Sequence, residues 1–190
     1  GYQAQSQLES VVAVLPIKSA KIYSRSLENR EKFALEMSDK LGIEIIGTTS
    51  AEEATKGADV LITVTGSSTP VLFGDWLVPG VHINAAGANS WMRRELDNAA
   101  VSKANMIITD DVPQARVECA DLMQAAEIGR LNWQQVFSLA DITSGRITAR
   151  SSPDDITLFE SQGIALEDIA VAEYLYKMAI NLGVGTKIGN

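Results

Sequence analysis

The 190-residue chain is long enough for one domain with a substantial core, and its apolar fraction of 46% is ordinary for a globular protein. Its net charge of −8 repels nucleic acid and anionic membranes, so we expect neither as a partner. A single histidine and a single cysteine exclude a multi-histidine metal site, a cysteine cluster and an internal disulfide, so we expect no metal. The lone cysteine favours a reducing compartment, and we expect the cytoplasm.

Short apolar runs alternate with longer helical stretches from the first residue to the last. The apolar spacing predicts helices over residues 2–15, 27–41, 51–57, 112–126, 133–139 and 163–181. It predicts strands over residues 21–24, 44–47, 59–65, 81–86, 106–109 and 156–159. Strands that alternate with helices indicate an α/β fold with a parallel sheet. The turn-rich stretch 143–155 fits either a loop over a site or a simple connection.

The first four residues, Gly1-Tyr-Gln-Ala4, lead directly into the first predicted helix. In the dinucleotide fingerprint Gly-x-Gly-x-x-Gly/Ala, Gly1 fits the second glycine and Ala4 the third small residue. The free N–H groups of such a helix start attract phosphate. The first glycine and the strand before it are absent, and the motif alone is weak. We therefore expect this chain to belong to a longer polypeptide that supplies the first strand.

The predicted strand 21–24 ends at Ser24-Arg25-Ser26, about where NAD enzymes carry an acid for the ribose 2′-hydroxyl. No carboxylate occurs there. Arg25, with Arg30 in the next helix, suits a 2′-phosphate, which favours NADP over NAD. The alternative is that both arginines are solvated surface charges.

Five stretches match, in order and spacing, motifs of one known family: residues 1–4, 59–65, 79–89, 94–97 and 157–168. Together they resemble the ornithine cyclodeaminase/mu-crystallin family, whose members hold a nicotinamide cofactor. The resemblance implies a Rossmann-type doubly wound parallel sheet over residues 1–160. It implies that 161–190 form a C-terminal helix packing toward an N-terminal substrate and dimerisation domain absent from this chain. It also implies a small amino-acid or imino-acid substrate and a homodimer.

The resemblance also implies contacts with NADP or NAD along four parts of the cofactor. The residues implied for the pyrophosphate are Gly1, Tyr2 and Gln3, and those for the adenosine ribose and any 2′-phosphate are Ser24, Arg25, Ser26 and Asn29. Thr65, Gly66 and Ser67 would lie along the cofactor at the end of the strand predicted over 59–65, and Ala86 and Ser161 near the nicotinamide end.

Asn89 is the candidate catalytic residue, and it departs from one branch of the family. Ornithine cyclodeaminases carry an aspartate at this position, and an amide cannot accept a proton at neutral pH. A simple imino-acid or ketimine reductase, or an amino-acid dehydrogenase such as alanine dehydrogenase, is therefore favoured. The alternatives are an ornithine cyclodeaminase, a non-catalytic NADPH-dependent binding protein of the mu-crystallin type, and a structural role for Asn89 as a helix cap. The single histidine, His82, is interpreted as structural.

Overall fold

Helices and strands alternate along residues 1–186 and 188, the part of the chain that the computed structural model describes. The helices are Tyr2–Val14 (α1), Leu27–Leu41 (α2), Ala51–Thr55 (α3), Asn98–Lys103 (α4), Val112–Glu118 (α5), Ala120–Glu127 (α6), Leu139–Thr143 (α7) and Ala165–Leu182 (α8). The strands are Ser19–Ile22 (β1), Glu44–Gly47 (β2), Val60–Thr63 (β3), His82–Ala85 (β4), Met106–Thr109 (β5), Val136–Ser138 (β6) and Thr157–Glu160 (β7).

The strands form two parallel sheets. The larger sheet has the order β3-β4-β7-β5-β6, and the smaller sheet pairs β1 with β2. Because all pairs are parallel, the carboxyl ends of the strands of each sheet share one edge. In the described chain, β1 and β3 each pair on one side only. The α/β, Rossmann-type prediction is confirmed.

Two apolar clusters hold the sheets and helices together. The larger one surrounds the central strands, where Ile83 and Leu158 are fully buried, together with Leu122 of α6. The smaller one lies between α2 and the β1–β2 pair and is built on Phe33 and Met37. Helix α1 packs against the smaller cluster and also contacts β3, so it bridges the two sheets.

The helix predicted over residues 133–139 is wrong. Asn132 caps a single 3₁₀ turn, Trp133–Gln135, after which β6 pairs with β5 through Val136 opposite Ile107. Helix α7 begins only at Leu139. The apolar spacing suits a helix, but residues 136–138 form a strand because they pair with β5. The local pattern does not show the hydrogen bonds that this remote strand offers.

Three further elements differ from the prediction. The helix predicted over 112–126 is split at Cys119, whose ψ of 94° is extended, into α5 and α6. Helix α4, capped by Asp97, was not predicted. Strand β1 lies two residues earlier than expected, so Ser24-Arg25-Ser26 lies in the loop that follows it.

Helix α8 has no buried residue among those that the structure describes. Large apolar side chains stand exposed along it: Leu166, Ile169, Val171, Tyr174, Leu175, Tyr176, Met178, Ile180 and Leu182. Among the described residues, no helix has the length and apolar character of a membrane span. Residues 187, 189 and 190, at the end of the predicted C-terminal helix region, lie outside the described residues.

Leu158→Ala tests whether the central strand carries the core. Leu158 is 0% exposed in β7 between Ile83 and Ile107, so we expect a loss of about 2–5 kcal/mol in the free energy of unfolding. Leu35→Ala, at a side chain 75% exposed on α2, is the control and should change stability by less than about 0.5 kcal/mol. Urea unfolding measures both, and equal losses would contradict the assignment of the core.

Candidate functional site

A cleft of about 300 Å³ opens at the carboxyl ends of β3, β4 and β7, against the first turns of α1. Five of the residues singled out from the sequence line it, namely Tyr2, Gln3, Ala86, Asn89 and Ser161. These residues come from three separate parts of the chain and meet because parallel strands end at a common edge. Ligands of open α/β sheets bind at this edge.

The start of α1 faces this cleft without a side-chain cap. Gly1 is the N-cap residue and the first turn holds no acidic residue. Side chains cap α2, α3, α4, α5 and α7, whereas α6 and α8 lack a side-chain cap, as α1 does. A Cβ added at Gly1 would meet no atom of the described residues within 4 Å. The uncapped N–H groups and the helix dipole make this end favourable for an anion.

The loop after β7 is held in place by Asp110. Its carboxyl Oδ2 accepts hydrogen bonds from Ser161 Oγ at 3.1 Å, Gln162 N at 2.8 Å and Gly163 N at 2.7 Å. The backbone N–H of Ser161 donates to Ala85 O at 2.9 Å. The neighbouring Asp111 instead caps α5 by accepting from Gln114 N at 2.8 Å. Asp110 is therefore a residue of the site that sequence reasoning missed.

Thr65, Gly66 and Ser67 follow β3 and are held by the segment 94–97. Arg94 N donates to Ser67 O at 2.8 Å, and the two segments continue side by side to Leu72. The carboxyl group of Glu95 accepts from the backbone N–H of Thr65 and, at 2.8 Å, from that of Gly87. The predicted cofactor residues after β3 are thus joined to the loop after β4.

The predicted adenosine-ribose residues lie apart from the cleft, at the carboxyl end of β1. Ser26 caps α2 by accepting from Asn29 N at 3.2 Å. Arg25 is exposed and makes no ion pair with any described residue. Arg30 is engaged, because it donates to Ser24 O at 3.3 Å and lies 5.9 Å from the centre of the Tyr23 ring. Arg25 is therefore the cation available beside this loop.

Asn89 is exposed at the cleft, and its Oδ1 accepts from Arg93 Nη1 at 3.2 Å. The alternative that Asn89 caps the following helix is wrong, since α4 begins at Asn98 and Asp97 caps it. His82 lies at the other end of β4, where Thr157 Oγ1 and Asn84 Oδ1 lie 2.7 and 3.0 Å from its two ring nitrogens. Burial lowers the pKa of His82, and its position fits a structural role.

Three carboxyl groups are fully buried behind the cleft, those of Glu95, Asp121 and Glu160. Burial raises the pKa of Asp121 to about 7, against the hydrogen bonds that it accepts from Leu96 N and Glu95 N. Burial and the charge of Asp121 raise the pKa of Glu160 well above its ordinary value. Burial also raises the pKa of the Cys119 thiol, which donates to Glu160 Oε2 at 3.6 Å and is unreactive in this state.

The titration of Asp121 makes stability depend on pH. Its pKa is 3.8 ordinarily and about 7 in the folded chain, so between these values the folded state binds the proton more tightly. The contribution of Asp121 to the free energy of unfolding is therefore complete at low pH. It declines as pH rises toward 7, by up to about 1.4 kcal/mol per pH unit for one proton. In Asp121→Asn, whose Oδ1 can still accept both backbone bonds, the decline should be shallower.

Urea unfolding between pH 4 and about 8 measures this slope. Asp39→Asn, at an exposed position of α2, is the control and should keep the slope of the wild type. An unchanged slope in Asp121→Asn would show that other buried groups, such as Glu160, account for the whole dependence.

Known proteins resemble this chain over nearly its whole length. The Δ1-pyrroline-2-carboxylate reductase of Bacillus cereus is 36% identical over 99% of this chain and 58% of its own length. The structure of the Thermococcus litoralis Δ1-pyrroline-2-carboxylate reductase, in complex with NADH and L-proline, superposes with a TM-score of 0.95 at 38% identity, over 99% of this chain and 58% of that one. An archaeal alanine dehydrogenase dimer with bound NAD has a TM-score of 0.91 at 35% identity, over 100% and 58%.

This chain thus spans about 58% of the length of these relatives. The sequence pattern of the ornithine cyclodeaminase/mu-crystallin family matches residues 1–182. The resemblance found in the motifs is confirmed, and the chain belongs to the ornithine cyclodeaminase/mu-crystallin family.

Proposed function

We propose that the whole protein is an NAD(P)-dependent oxidoreductase that reduces a small imino acid to an amino acid or catalyses the reverse reaction. The observation that carries this proposal is the cleft in which the uncapped start of α1 meets Ala86, Asn89 and Ser161. The named activities of the relatives, pyrroline-2-carboxylate reductase and alanine dehydrogenase, support it.

The residues present fit a dinucleotide. The uncapped helix start offers N–H groups to a pyrophosphate, where Gly1 adds no side chain and Tyr2 and Gln3 flank the position. Ala86 and Ser161 border the part of the cleft nearest the ends of β4 and β7, where we place the nicotinamide. When bound, the cofactor supplies or accepts the hydride. Thr65, Gly66 and Ser67 would line the middle of the cofactor.

Asn89 is proposed to hydrogen-bond the substrate or the cofactor amide in the cleft, with Arg93 orienting its side-chain oxygen. An amide can orient a polar group but cannot take up a proton at neutral pH. This favours a reductase or dehydrogenase over a cyclodeaminase, which requires a base at that position. The proton of the reaction would then come from another group or from water.

The preference for NADP rests on Arg25 alone. Its exposed guanidinium stands beside Ser24 and Ser26 with no acid as an ion-pair partner in the described chain. Such a loop suits a 2′-phosphate and offers no carboxylate for a 2′-hydroxyl. The two similar structures hold NADH and NAD. The preference of this protein for NADP over NAD is therefore a prediction separate from its use of a nicotinamide cofactor.

We further infer that α8 packs on a domain found in the relatives beyond the 58% that this chain spans, and that the whole protein is a homodimer. The apolar side chains exposed along α8 need such a partner surface. The dimer of the archaeal alanine dehydrogenase supports the second inference. A cytoplasmic location stays a prediction from the cysteine count.

The direct test uses the complete protein with NADPH or NADH and Δ1-pyrroline-2-carboxylate. We expect loss of absorbance at 340 nm and formation of proline, because the cleft combines a cofactor site with a polar residue for the imino acid. Piperidine-2-carboxylate, which lacks the C=N bond, is the control. Binding of NADPH without turnover of any imino acid would instead favour a binding protein of the mu-crystallin type.

Arg25→Asp tests the 2′-phosphate contact. Loss of one charge-assisted bond costs about 1.5–3 kcal/mol, so the ratio of NADPH to NADH affinity should fall by about tenfold or more. Arg130→Asp removes the same charge from an exposed position outside the cleft and should leave the ratio unchanged. Fluorescence titration gives both affinities. An unchanged ratio in Arg25→Asp would show that Arg25 is a solvated surface charge with no contact to the 2′-phosphate.

A further inference from the structure

One buried side chain joins the ends of two neighbouring strands beside the cleft. Glu95, 0% exposed, accepts from Thr65 N through Oε1 and from Gly87 N through Oε2 at 2.8 Å. Thr65 follows β3 and Gly87 follows β4. The two carboxyl oxygens therefore set the separation of these loops, which we call the Glu95 clamp.

The clamp requires a glycine at position 87. A Cβ added there would overlap the carbonyl oxygen of Thr65 and would lie 2.6 Å from Oε1 of Glu95. Real side chains do not tolerate such contacts, so a larger residue would push the two loops apart. Gly87 lies directly after Ala86, which lines the cleft. A shift at the clamp is thus transmitted to the wall of the cleft.

The clamp is anchored from behind by α6. Asp121 Oδ1 accepts from Glu95 N at 3.1 Å and from Leu96 N at 3.0 Å. Leu72 N donates to Glu95 O at 2.9 Å, which pairs this segment with the loop that follows β3. The backbone of Glu95 is therefore fixed on both sides, and its side chain has little freedom to follow a displaced loop.

We propose that Glu95 is a positioning residue for the nicotinamide half of the cofactor, a role that rests on the proposed function. It touches neither cofactor nor substrate and acts through the backbone of Thr65 and Gly87. The adenosine half would be bound at the separate loop after β1, which the clamp does not contact. Loss of the clamp should therefore weaken binding of the whole dinucleotide while leaving binding of its adenosine part unchanged.

Glu95→Gln is the sharpest variant, because glutamine has nearly the same shape but only one carbonyl oxygen. Its amide nitrogen would face one backbone N–H as a second donor, and that hydrogen bond would be lost. We expect the dissociation constant of the preferred dinucleotide, NADH or NADPH, to rise by about tenfold or more. That of ADP or 2′,5′-ADP should stay within about twofold. Calorimetry on the complete protein measures both.

Glu44→Gln, at an exposed position of β2, is the matched control and should change neither constant. Gly87→Ala should likewise raise the dissociation constant of the dinucleotide and leave that of its adenosine part unchanged, because the added Cβ would overlap Thr65 and Glu95. If Glu95→Gln does not fold, amide hydrogen exchange of the wild type still tests the clamp. The amides of Thr65 and Gly87 should exchange slowly although both lie beyond strand ends, and exchange at the rate of free loop residues would overturn the clamp.

The outcomes separate the inference from the proposed function. Unchanged dinucleotide affinity in Glu95→Gln, with normal binding by the wild type, would overturn the positioning role alone. An equal loss for both ligands would show a general structural role and would also overturn it. A wild type that binds no dinucleotide would contradict the proposed function and the positioning role together.

Discussion

Buried carboxyl oxygens that accept backbone N–H groups are the interaction on which the shape of the cleft depends. A polar atom removed from water is costly unless it is hydrogen-bonded. Asp121 therefore holds the segment at Glu95 and Leu96, and Glu95 holds Thr65 and Gly87 in turn. Each link fixes the next, from α6 to the ends of β3 and β4.

Asp110 is a third buried acid of this kind, at the end of β7, where its carboxyl group accepts hydrogen bonds from Ser161, Gln162 and Gly163. The loops that line the cleft are thus held by acids that lie behind them. The chain carries a net charge of −8, yet no acid occurs in the first turn of α1, where an anionic cofactor would approach. Burial also raises the pKa of Glu160 and Asp121, which limits the charge behind the cleft.

The alternation of strands and helices could be predicted because runs such as residues 59–65 and 106–109 are almost continuously apolar. Such runs are expected of parallel strands that are covered on both faces of the sheet. Family motifs then indicated residues that the fold brings together, such as Gln3, Ala86 and Ser161. The helix that the spacing predicts over 133–139 is wrong because pairing with β5, which is remote in sequence, makes Val136 part of a strand.

The carboxyl cluster escaped sequence reasoning for a different reason. Glu95 belongs to a family motif, but nothing local tells a buried acceptor from a solvated acid. Its partners Thr65 and Asp121 lie 30 and 26 residues away. Only the three-dimensional arrangement shows that the acid is surrounded by N–H groups. The same holds for Asp110, because nothing local shows that its carboxyl group accepts from Ser161, Gln162 and Gly163.

We propose that a dinucleotide lies along the carboxyl ends of the strands of both sheets, from the loop after β1 across the start of α1 to the ends of β4 and β7. A crystal structure of the complete protein with its cofactor tests this most directly. We expect the pyrophosphate at the N–H groups of Tyr2 and Gln3 and the nicotinamide beside Ala86 and Ser161. A cofactor bound elsewhere, such as in the open depression lined by Arg116 and Trp133, would contradict it.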